Sequence, residues 1–578
     1  MASGHESVAQ RIACALKRHR VEVIFGQSLP SAVILACEAI GIRQLAYRQE
    51  NMGGAMADGY ARQSGKVAVV AAQNGPAATL LVPPLAEALK ASIPIVALVQ
   101  EVERNQADRN AFQELDHLAI FSGCAKWTRR IVVPDRAEDY VDQAFVAAAS
   151  GRSGPAVLLL PADLLRSSFT QSVEPRTTGL GFWPLDRTRP ADSLIEAAAD
   201  ILAAAERPVV IAGGGTLAAG GPEALARLQE QAHLPVFTTN MGKGAVSELH
   251  PLSCGVLGSL TGPQSLGRHM RSMLDEADAV LLVGTRNNQN GTDSWRLIPR
   301  AAKIIHIDID PNEIGRNYEA VRLVGDAQTT LDALAHALAR RDLSGCLRDR
   351  AARERRIASA WRRYDSDRRP LILRNAGPLR PERVMAELQP LLTPETIVVA
   401  DASYSSMWVV GQLRALAPGM RFLTPRGLAG LGWGLPLALG AKVAAPDRPV
   451  VALVGDGGFA HSWAELETAA RSRLAVTVIV LNNGVLGYQK DAEIVKFGSY
   501  TTACHISPVD HAAIARACGC ESIQVDDASA LRPAFETALR GEMPWLIEVM
   551  TDPEAHPPLS LYDGTEPQRG ADPDSNVQ

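Results

Sequence analysis

The sequence predicts an α/β protein with three doubly wound, mainly parallel sheets, one in each of three domains, followed by a C-terminal tail. Short apolar, β-branched runs alternate along the chain with alanine-rich stretches of helical spacing, a pattern typical of this class. The segment 449–487 contains a strand, a glycine turn, a helix and a second strand in succession. At 578 residues with 47% hydrophobic content, the chain can bury several cores.

The first predicted domain covers residues 1–165. Its helical stretches separate four apolar runs that we expect to be buried strands, at 21–25, 66–72, 93–99 and 156–160. The polar segment 166–189 contains proline and glycine and is predicted to be a linker.

The second predicted domain covers residues 190–345, with strands at 208–212, 280–283 and 303–309. A triple glycine at 213–215 follows the first of these strands and is compatible with a nucleotide site or with a tight turn alone. The segment 348–369 is dense in arginine, and we expect it to form a solvated helix that joins two domains.

The third predicted domain covers residues 375–550. It has strands at 397–400, at 476–481 and at 545–549, and it contains the strand–turn–helix–strand unit. Residues 551–578 are rich in Pro, Asp and Gly, so low hydrophobicity predicts a tail without a core of its own.

Bulk composition excludes several functional classes. The net charge of −5 leaves no electrostatic footprint for nucleic acid. No apolar run approaches the roughly 20 residues that a membrane span needs, and charges near the amino terminus argue against a signal peptide. The eight cysteines show neither metal-ligand nor disulfide spacing, with Cys518 and Cys520 only a C-x-C. We therefore expect a cytoplasmic enzyme.

The two turns of the unit at 449–487 carry complementary ligands. Asp456 offers a carboxylate and Asn483 an amide oxygen, and both suit Mg²⁺ with phosphate oxygens in its open positions. Gly457 and Gly458 let the backbone approach a diphosphate at a helix N-terminus. The alternative is an ordinary strand–helix turn in a doubly wound sheet. Because both turns lie at the carboxyl ends of neighbouring strands, the sequence favours a metal–diphosphate site.

The pattern GDG…NN resembles the fingerprint of enzymes that use thiamin diphosphate (ThDP). Over about residues 5–550, the chain resembles the acetohydroxyacid synthase and pyruvate oxidase-like group of these enzymes. The resemblance rests on several motifs in the order of that group: the MADGYAR block with its glutamate at 50–62, NGPAAT at 74–79, AFQELD at 111–116, IDIDPNEIG at 307–315, GLPLALGAK at 434–442, and GDG…NN.

The resemblance implies a pyrimidine-binding, a central and a diphosphate-binding domain, in that order. It also implies that the cofactor binds between the first domain of one subunit and the third of another, so that a homodimer or homotetramer is expected. Glu50, which follows a short predicted strand and begins a helix, matches the glutamate that bonds the aminopyrimidine ring. Its alternative is a simple helix cap.

Further roles are implied by position. Asp456, Asn483 and the carbonyl of Val485 match the Mg²⁺ ligands, and Leu431 matches the bulky residue that bends the cofactor. The remaining matches are the Gly430 carbonyl as an acceptor from the pyrimidine amino group, Ser403, Tyr404 and Ser405 near the diphosphate, and Asn74 and Gln113 near the pyrimidine and the substrate.

The segment after Asn483 bears on the reaction. It reads GVLGYQKDAEIVKFGSY and differs from synthase-like sequences, which carry an LGM-type run with a tryptophan. Cleavage of a 2-hydroxyacyl compound must remove the hydroxyl proton as the C–C bond breaks, so it needs a general base. Glu493 is the candidate, and its alternative is a surface partner of Lys490 or Lys496.

The tail supplies a second indication, because relatives that use acyl-CoA close a C-terminal segment over the substrate. His556 and Tyr562 are the candidate lid residues, and a plain terminus is the alternative. We therefore expect a 2-hydroxyacyl-CoA lyase that forms an aldehyde or ketone and formyl-CoA. The alternatives are an acetolactate synthase-like carboligase acting on pyruvate, and a non-catalytic subunit or nucleotide sensor.

The central domain departs from the synthases. GTRNNQNGTDSW at 284–295 replaces the Arg-Phe-Asp-Asp-Arg pattern that accompanies flavin there, so FAD is not expected. The resemblance implies ADP instead, as in oxalyl-CoA decarboxylase, one of the acyl-CoA-using relatives, with Asp308 and Asp310 near its ribose.

Overall fold

The structure is a computed structural model that describes residues 6–168, 176–218, 220–375 and 377–562. Within these residues the strands form three parallel sheets of six. The strands are β1 Val23–Phe25, β2 Arg43–Leu45, β3 Ala68–Ala72, β4 Ile95–Glu101, β5 Trp127–Arg130, β6 Ala156–Pro161, β7 Pro208–Ala212, β8 Val236–Thr238, β9 Ser253–Val256, β10 Ala279–Val283, β11 Lys303–Asp308, β12 Val321–Val324, β13 Ile397–Ala400, β14 Phe422–Leu423, β15 Val450–Gly455, β16 Thr477–Asn482, β17 Glu521–Val525 and β18 Trp545–Met550.

Helices cover the sheets. They are α1 Val8–Arg18, α2 Ser31–Ala39, α3 Glu50–Ser64, α4 Pro76–Leu80, α5 Val82–Ala91, α6 His117–Phe121, α7 Ala137–Ala149, α8 Ala162–Arg166, α9 Asp192–Ala204, α10 Gly214–Ala218, α11 Pro222–Gln231, α12 Leu266–Asp275, α13 Ala327–Leu338, α14 Ser344–Ile372, α15 Pro381–Leu388, α16 Tyr404–Gln412, α17 Gly434–Ala444, α18 Asp456–Phe459, α19 Glu465–Arg471, α20 Gly487–Phe497, α21 His511–Ala517 and α22 Ala528–Arg540.

The predicted fold class, three parallel α/β sheets in succession, is confirmed. The first and third sheets share one topology, with orders β2-β1-β3-β4-β6-β5 and β14-β13-β15-β16-β18-β17. The central sheet has the order β12-β11-β10-β7-β8-β9, which is the doubly wound order of dinucleotide-binding domains. The order reverses between β13 and β15 in the third sheet and between β7 and β10 in the central one, and ligands bind at such points.

The strands that the sequence predicted are the buried inner ones. Those of the central and third sheets lie within two residues of their predicted limits; for example, β7 and β13 match them fully. The inner strand β8 and the edge strands β5, β9, β12, β14 and β17 were not predicted. In β5 and β17, polar residues and partial exposure break the apolar pattern.

The arginine-rich segment forms the predicted helix, α14, which follows the central domain and precedes the third. Its arginines reach back to carboxylates of the central domain, with Arg350 bonded to Glu230 at 2.7 Å and Arg356 to Glu276 at 2.6 Å. Ile357 and Tyr364 bury the opposite face. The helix is therefore solvated on one side and packed on the other.

Part of the predicted tail packs against the third domain. Residues 551–562 continue from β18, and Ala555, Leu559 and Tyr562 join a buried cluster that contains residues of α15, α16 and α22. The described part of the tail forms no core of its own, and three scattered apolar residues instead attach it to the existing core of the third domain. Residues 563–578 lie outside the described residues.

Two composition-based expectations can be compared directly. All eight cysteines are free, as their spacing predicted. Among the described residues, no helix has both the length and the apolar character that a membrane crossing requires.

Helices α3 and α17 bring the first and third domains together within one chain. A Cβ atom on Gly59 would collide with the Leu437 carbonyl oxygen, and one on Gly440 would collide with that of Met56. Glycine at both positions lets the helix backbones touch. Because α3 begins at Glu50 and α17 begins shortly after Leu431, the contact between the two helices also fixes where these two candidate site residues lie.

We expect Gly59→Ala to destabilise the protein by about 1–3 kcal/mol, because the added methyl forces two packed helices apart. Thermal unfolding of the full chain measures the effect. Gly123→Ala is the matched control, since a Cβ there meets nothing within 4 Å. Equal melting temperatures for the two variants would contradict the close packing of α3 on α17.

Candidate functional site

A cavity of about 650 Å³ opens at the carboxyl ends of β13, β15 and β16, where the third sheet reverses its order. Most of the residues predicted for the cofactor's diphosphate side line it. They are Ser403, Tyr404, Ser405, Leu431, Asp456, Gly457, Gly458, Asn483 and Val485. Gly430 is adjacent to Leu431 and is not among the lining residues. The fold therefore brings together residues from three separate strand ends.

Asp456 and Asn483 supply the predicted metal ligands of this cavity. The Asp456 carboxylate accepts the Gly484 N–H at 2.9 Å, and the Asn483 side-chain oxygen accepts the Val485 N–H at 3.2 Å. Burial raises the pKa of the Asp456 carboxyl, although N–H donors from Gly484 and Gly457 oppose the shift. A divalent cation would compensate such a buried carboxylate. The donor set therefore fits Mg²⁺.

Two glycines let the backbone pack closely around the cavity. A Cβ on Gly458 would collide with the Asp401 carboxylate, and one on Gly457 would lie 2.7 Å from the Leu486 side chain. Both glycines belong to the short helix α18, which leaves backbone N–H groups near the cavity. This arrangement fits the approach of a diphosphate.

Two buried carboxylates hold the loop 426–433, which carries Leu431. Glu87 of α5 accepts the N–H groups of Gly427 at 2.5 Å, of Leu428 and of Ala429 at 3.2 Å. Asp401, at the end of β13, accepts those of Gly432 at 2.9 Å and Trp433 at 3.0 Å. The side chain of Leu431 is 41% exposed between these clamps, so an apolar group can pack on it.

The described end of the tail closes one side of the cavity. Leu559, Ser560 and Leu561 line it. Tyr562 contacts the Tyr404 hydroxyl and donates to Asp491 at 3.1 Å, while Tyr404 donates to the same carboxylate at 2.7 Å. The ring of His556 lies 4.2 Å from that of Tyr562. Two phenols and one carboxylate thus fasten the segment to α16 and α20.

The pyrimidine-side candidates are assembled elsewhere in the chain. The Asn74 amide donates to the Gln113 carbonyl at 3.1 Å, and the Gln73 amide donates to the Gln113 side chain at 2.9 Å. Glu50 begins α3 and is half-buried. Glu50, Asn74 and Gln113 do not line the cavity of Asp456, so one chain does not unite the two halves.

Glu493 is held at the surface of α20. Its carboxylate accepts from the Gln489 amide at 2.7 Å and from the Thr501 N–H at 2.7 Å. These bonds, with that of Gln489 the largest, lower the pKa of Glu493. It pairs with neither predicted lysine, since Lys490 binds Glu554 at 2.7 Å. Glu493 does not line the described cavity.

The central sheet has its own cavity, of about 200 Å³, at its point of reversal. Asp308 lines it, whereas Asp310 lies outside, where it binds Arg152 at 3.2 Å. The triple glycine also permits close packing, because a Cβ on Gly213 or Gly215 would collide with the backbone of the turn at Gly284. Burial raises the pKa of Asp308 to about 7.

Sequence reasoning missed the loop clamps and the residues that fasten the tail. Glu87 was detectable in principle, because it is the one carboxylate in the otherwise apolar stretch of α5. Asp491 and the clamp role of Asp401 carry no local signal. Their partners are distant in sequence, and only the packing of the domains brings them into contact.

Comparisons with known proteins agree with this geometry. Three family models match in order: the N-terminal TPP binding domain of thiamine pyrophosphate enzymes at residues 6–120, their central domain at 195–334 and their C-terminal TPP binding domain at 401–549. The chain therefore belongs to the thiamine pyrophosphate (ThDP) enzyme family, which confirms the group that the motifs indicated.

Relatives within the family are named acetolactate synthases. A probable acetolactate synthase large subunit of Methanococcus aeolicus is 31% identical over 566 residues, which cover 95% of this chain and 92% of the relative. An acetolactate synthase large subunit of Parasynechococcus marenigrum is 33% identical over 548 residues (93% and 86%). An acetolactate synthase of Mycobacterium bovis is 32% identical over 534 residues (90% and 83%). These names agree with the alternative reaction that the sequence left open.

We expect Asp308→Asn to stabilise the protein increasingly as the pH rises from about 4 to 7. An unfolded Asp loses its proton near pH 4, while the folded Asp308 keeps it until about 7. The free energy of unfolding of the native protein therefore falls across this interval. The side chain of Asn does not titrate, so the variant avoids this fall. Melting temperatures of both proteins over this range test the sign.

Asp310→Asn is the matched control, because its carboxylate forms an ion pair with Arg152 and offers no such gain. Parallel pH curves for native protein and Asp308→Asn would contradict a raised pKa at this site.

Proposed function

We propose that this chain is a ThDP- and Mg²⁺-dependent enzyme that makes or breaks a carbon–carbon bond beside a carbonyl carbon. The observation that carries the proposal is the cavity that joins Asp456, Asn483 and Val485 to Leu431 at the reversal of the third sheet. ThDP, when bound, supplies the carbon nucleophile. Asp456, Asn483 and the Val485 carbonyl hold Mg²⁺ and with it the diphosphate, and Leu431 supports the cofactor between its two rings.

The complete site is formed by two copies of the chain. The cavity contains the diphosphate-side residues, whereas Glu50, Asn74 and Gln113 lie outside it. Exposed apolar side chains adjoin both halves: Phe112 is 83% exposed beside Gln113, and Leu428 is 56% exposed in the clamped loop. A second copy would cover these surfaces and bring its Glu50 to the pyrimidine ring of the cofactor. A homodimer is the smallest active unit, and a homotetramer would contain it twice.

Subunit complementation tests this arrangement. Glu50→Gln removes the carboxylate proposed to bond the aminopyrimidine ring and to promote its proton transfer, and it should lower turnover by about 10²–10⁴-fold, while Asp456→Asn weakens the metal site. Coexpression with different affinity tags gives mixed dimers in which one site keeps both native residues. The mixture should recover roughly a quarter of native activity, since half of random dimers are mixed and each has one intact site.

The control is each variant mixed with itself, which should stay inactive. An inactive mixture of the two different variants, with mixed dimers shown by tandem purification, would place both residues in a site within one chain.

For the substrate we propose a short 2-hydroxyacyl-CoA, cleaved to an aldehyde or ketone and formyl-CoA, with condensation as the reverse reaction. The packed segment 551–562 supports this proposal, because Leu559, Ser560 and Leu561 narrow the cavity and exclude water from a reactive carbanion. Glu493 would act as the base for the substrate hydroxyl once a second chain completes the site. The bonds from Gln489 and Thr501 keep this carboxylate ionised and oriented.

A second candidate is an acetolactate synthase-like reaction, in which one 2-oxo acid such as pyruvate loses CO₂ and the remaining group joins another carbonyl compound. The names of the relatives favour it. Identity of 31–33% shows the family, and the segment after Asn483, which faces the cavity, differs from the synthase pattern. The two candidates share every residue proposed for ThDP and Mg²⁺.

A mass-spectrometric product screen decides between the two reactions. We expect formyl-CoA from 2-hydroxyacyl-CoA thioesters, and we expect Glu493→Gln to lower cleavage by about 10²–10⁴-fold with ThDP binding retained. Glu536→Gln on α22 is the matched control. Acetolactate from pyruvate without formyl-CoA would establish the second candidate instead, and native cleavage by Glu493→Gln would remove the proposed base.

A nucleotide in the central domain completes the proposal. The cavity at Asp308 lies at the carboxyl ends of β7 and β10, where the central sheet reverses its order, and nucleotides bind at such points. ADP is therefore our proposal for this position. The sequence pattern at 284–295 does not favour FAD at this position.

A further inference from the structure

Arg426 lies where three cavities meet. Its side chain lines the cavity of Asp456, the central-domain cavity of Asp308, and a groove of about 940 Å³ that opens to solvent. Arg426 is the first residue of the clamped loop. The N–H groups of the next two residues, Gly427 and Leu428, donate to Glu87 and hold the backbone beside Arg426. A molecule in the groove and one in the cofactor cavity would therefore both reach the same guanidinium group.

The guanidinium of Arg426 lacks an acidic partner. One terminal nitrogen donates to the Ser406 hydroxyl and contacts the Met407 sulfur at 3.4 Å, whereas the buried Nε has no hydrogen-bond partner. Burial lowers the pKa of Arg426 to about 10, and Glu87 is too distant to form an ion pair with it. A largely buried cation without an acidic partner costs stability, and an anion that arrives from outside would supply that partner.

The groove beside Arg426 is strongly basic. Six cationic residues line it, against the two acids Asp310 and Glu313: Lys90, Lys126, Arg152, Arg286, Arg316 and Arg426. Arg152 forms ion pairs with Asp310 at 3.2 Å and with Glu313 at 3.3 Å, and Arg316 also pairs with Glu313 at 3.3 Å. Among the described residues, Arg286 has neither a hydrogen bond nor an ion pair.

This local charge opposes that of the whole chain, which carries −5. A groove with an excess of unpaired cations attracts a polyanion from solution. Guanidinium groups also bind phosphate through two parallel hydrogen bonds, and Arg286, with neither a hydrogen bond nor an ion pair among the described residues, can offer both. The chemistry of the groove therefore matches a phosphorylated ligand better than a simple carboxylate.

We propose that the groove binds the phosphate groups of a nucleotide-type ligand and that Arg426 is the inner anchor of this ligand, beside the cofactor cavity. Two sources share this chemistry: the CoA portion of the substrate and a resident nucleotide such as ADP. The first source rests on the proposed acyl-CoA reaction. In that case Arg426 sets the depth at which the thioester enters and is a specificity-determining residue.

Titration calorimetry of the full-length protein with CoA, ADP and pantetheine tests the proposal, because pantetheine lacks phosphate. We expect Arg426→Met to weaken the binding of CoA or ADP by about tenfold or more, the effect of losing a charge-assisted hydrogen bond. Arg227→Met is the matched control, since Arg227 is exposed and binds Asp332 at 2.6 Å far from the groove. Without ligand, the melting temperature of Arg426→Met should equal or exceed that of the native protein, because the substitution removes a buried cation that has no acidic partner.

Each outcome decides a point. Weaker CoA binding alone assigns the anchor to the substrate, and weaker ADP binding alone assigns it to a resident nucleotide. No binding of CoA or ADP to the native protein, or native affinity in Arg426→Met, would overturn the proposal. A lower melting temperature together with lost ThDP binding would show a structural role and would also overturn it. Titration calorimetry measures binding without turnover, so these results do not depend on whether the proposed lyase reaction occurs.

Discussion

The cofactor cavity depends on two buried carboxylates that hold one loop. Glu87 accepts backbone N–H groups at the start of loop 426–433, and Asp401 accepts them at its end. Buried carboxylates are costly unless they are fully hydrogen-bonded, so this pairing fixes the loop in a single conformation. Glu87 belongs to the first domain and Asp401 to the third. The position of Leu431 thus requires both domains to be folded and in contact.

The same contact explains why one chain holds only half of the proposed site. Helices α3 and α17 touch through Gly59 and Gly440, and this packing directs Glu50 away from the cavity of its own Asp456. Exposed Phe112 and Leu428 are left beside the two half-sites. An arrangement that packs the domains within a chain therefore creates the surfaces on which a second chain completes the proposed site.

The residues proposed for the cofactor and those proposed for the reaction lie in different parts of the molecule. The proposed cofactor residues lie on strand ends and on a clamped loop, in domains that the thiamine pyrophosphate family models match. The proposed substrate residues lie on α20, in the segment 551–562 and near Arg426. Relatives named acetolactate synthase share about a third of their residues with this chain. That likeness supports the fold and the cofactor class, while the residues proposed for the substrate lie in the less regular elements around the cavity.

The sequence by itself determined the three-sheet fold, the buried strands and the ThDP class. Those features depend on local patterns, such as apolar runs and the glycine, Asp456 and Asn483 turns of one unit. It did not reveal the edge strands β5 and β17, the packing of residues 551–562, or the buried Nε of Arg426 that has no hydrogen-bond partner. Tertiary structure decided these, because burial and hydrogen bonding between residues as distant as Glu87 and Leu428 arise only when folded domains meet.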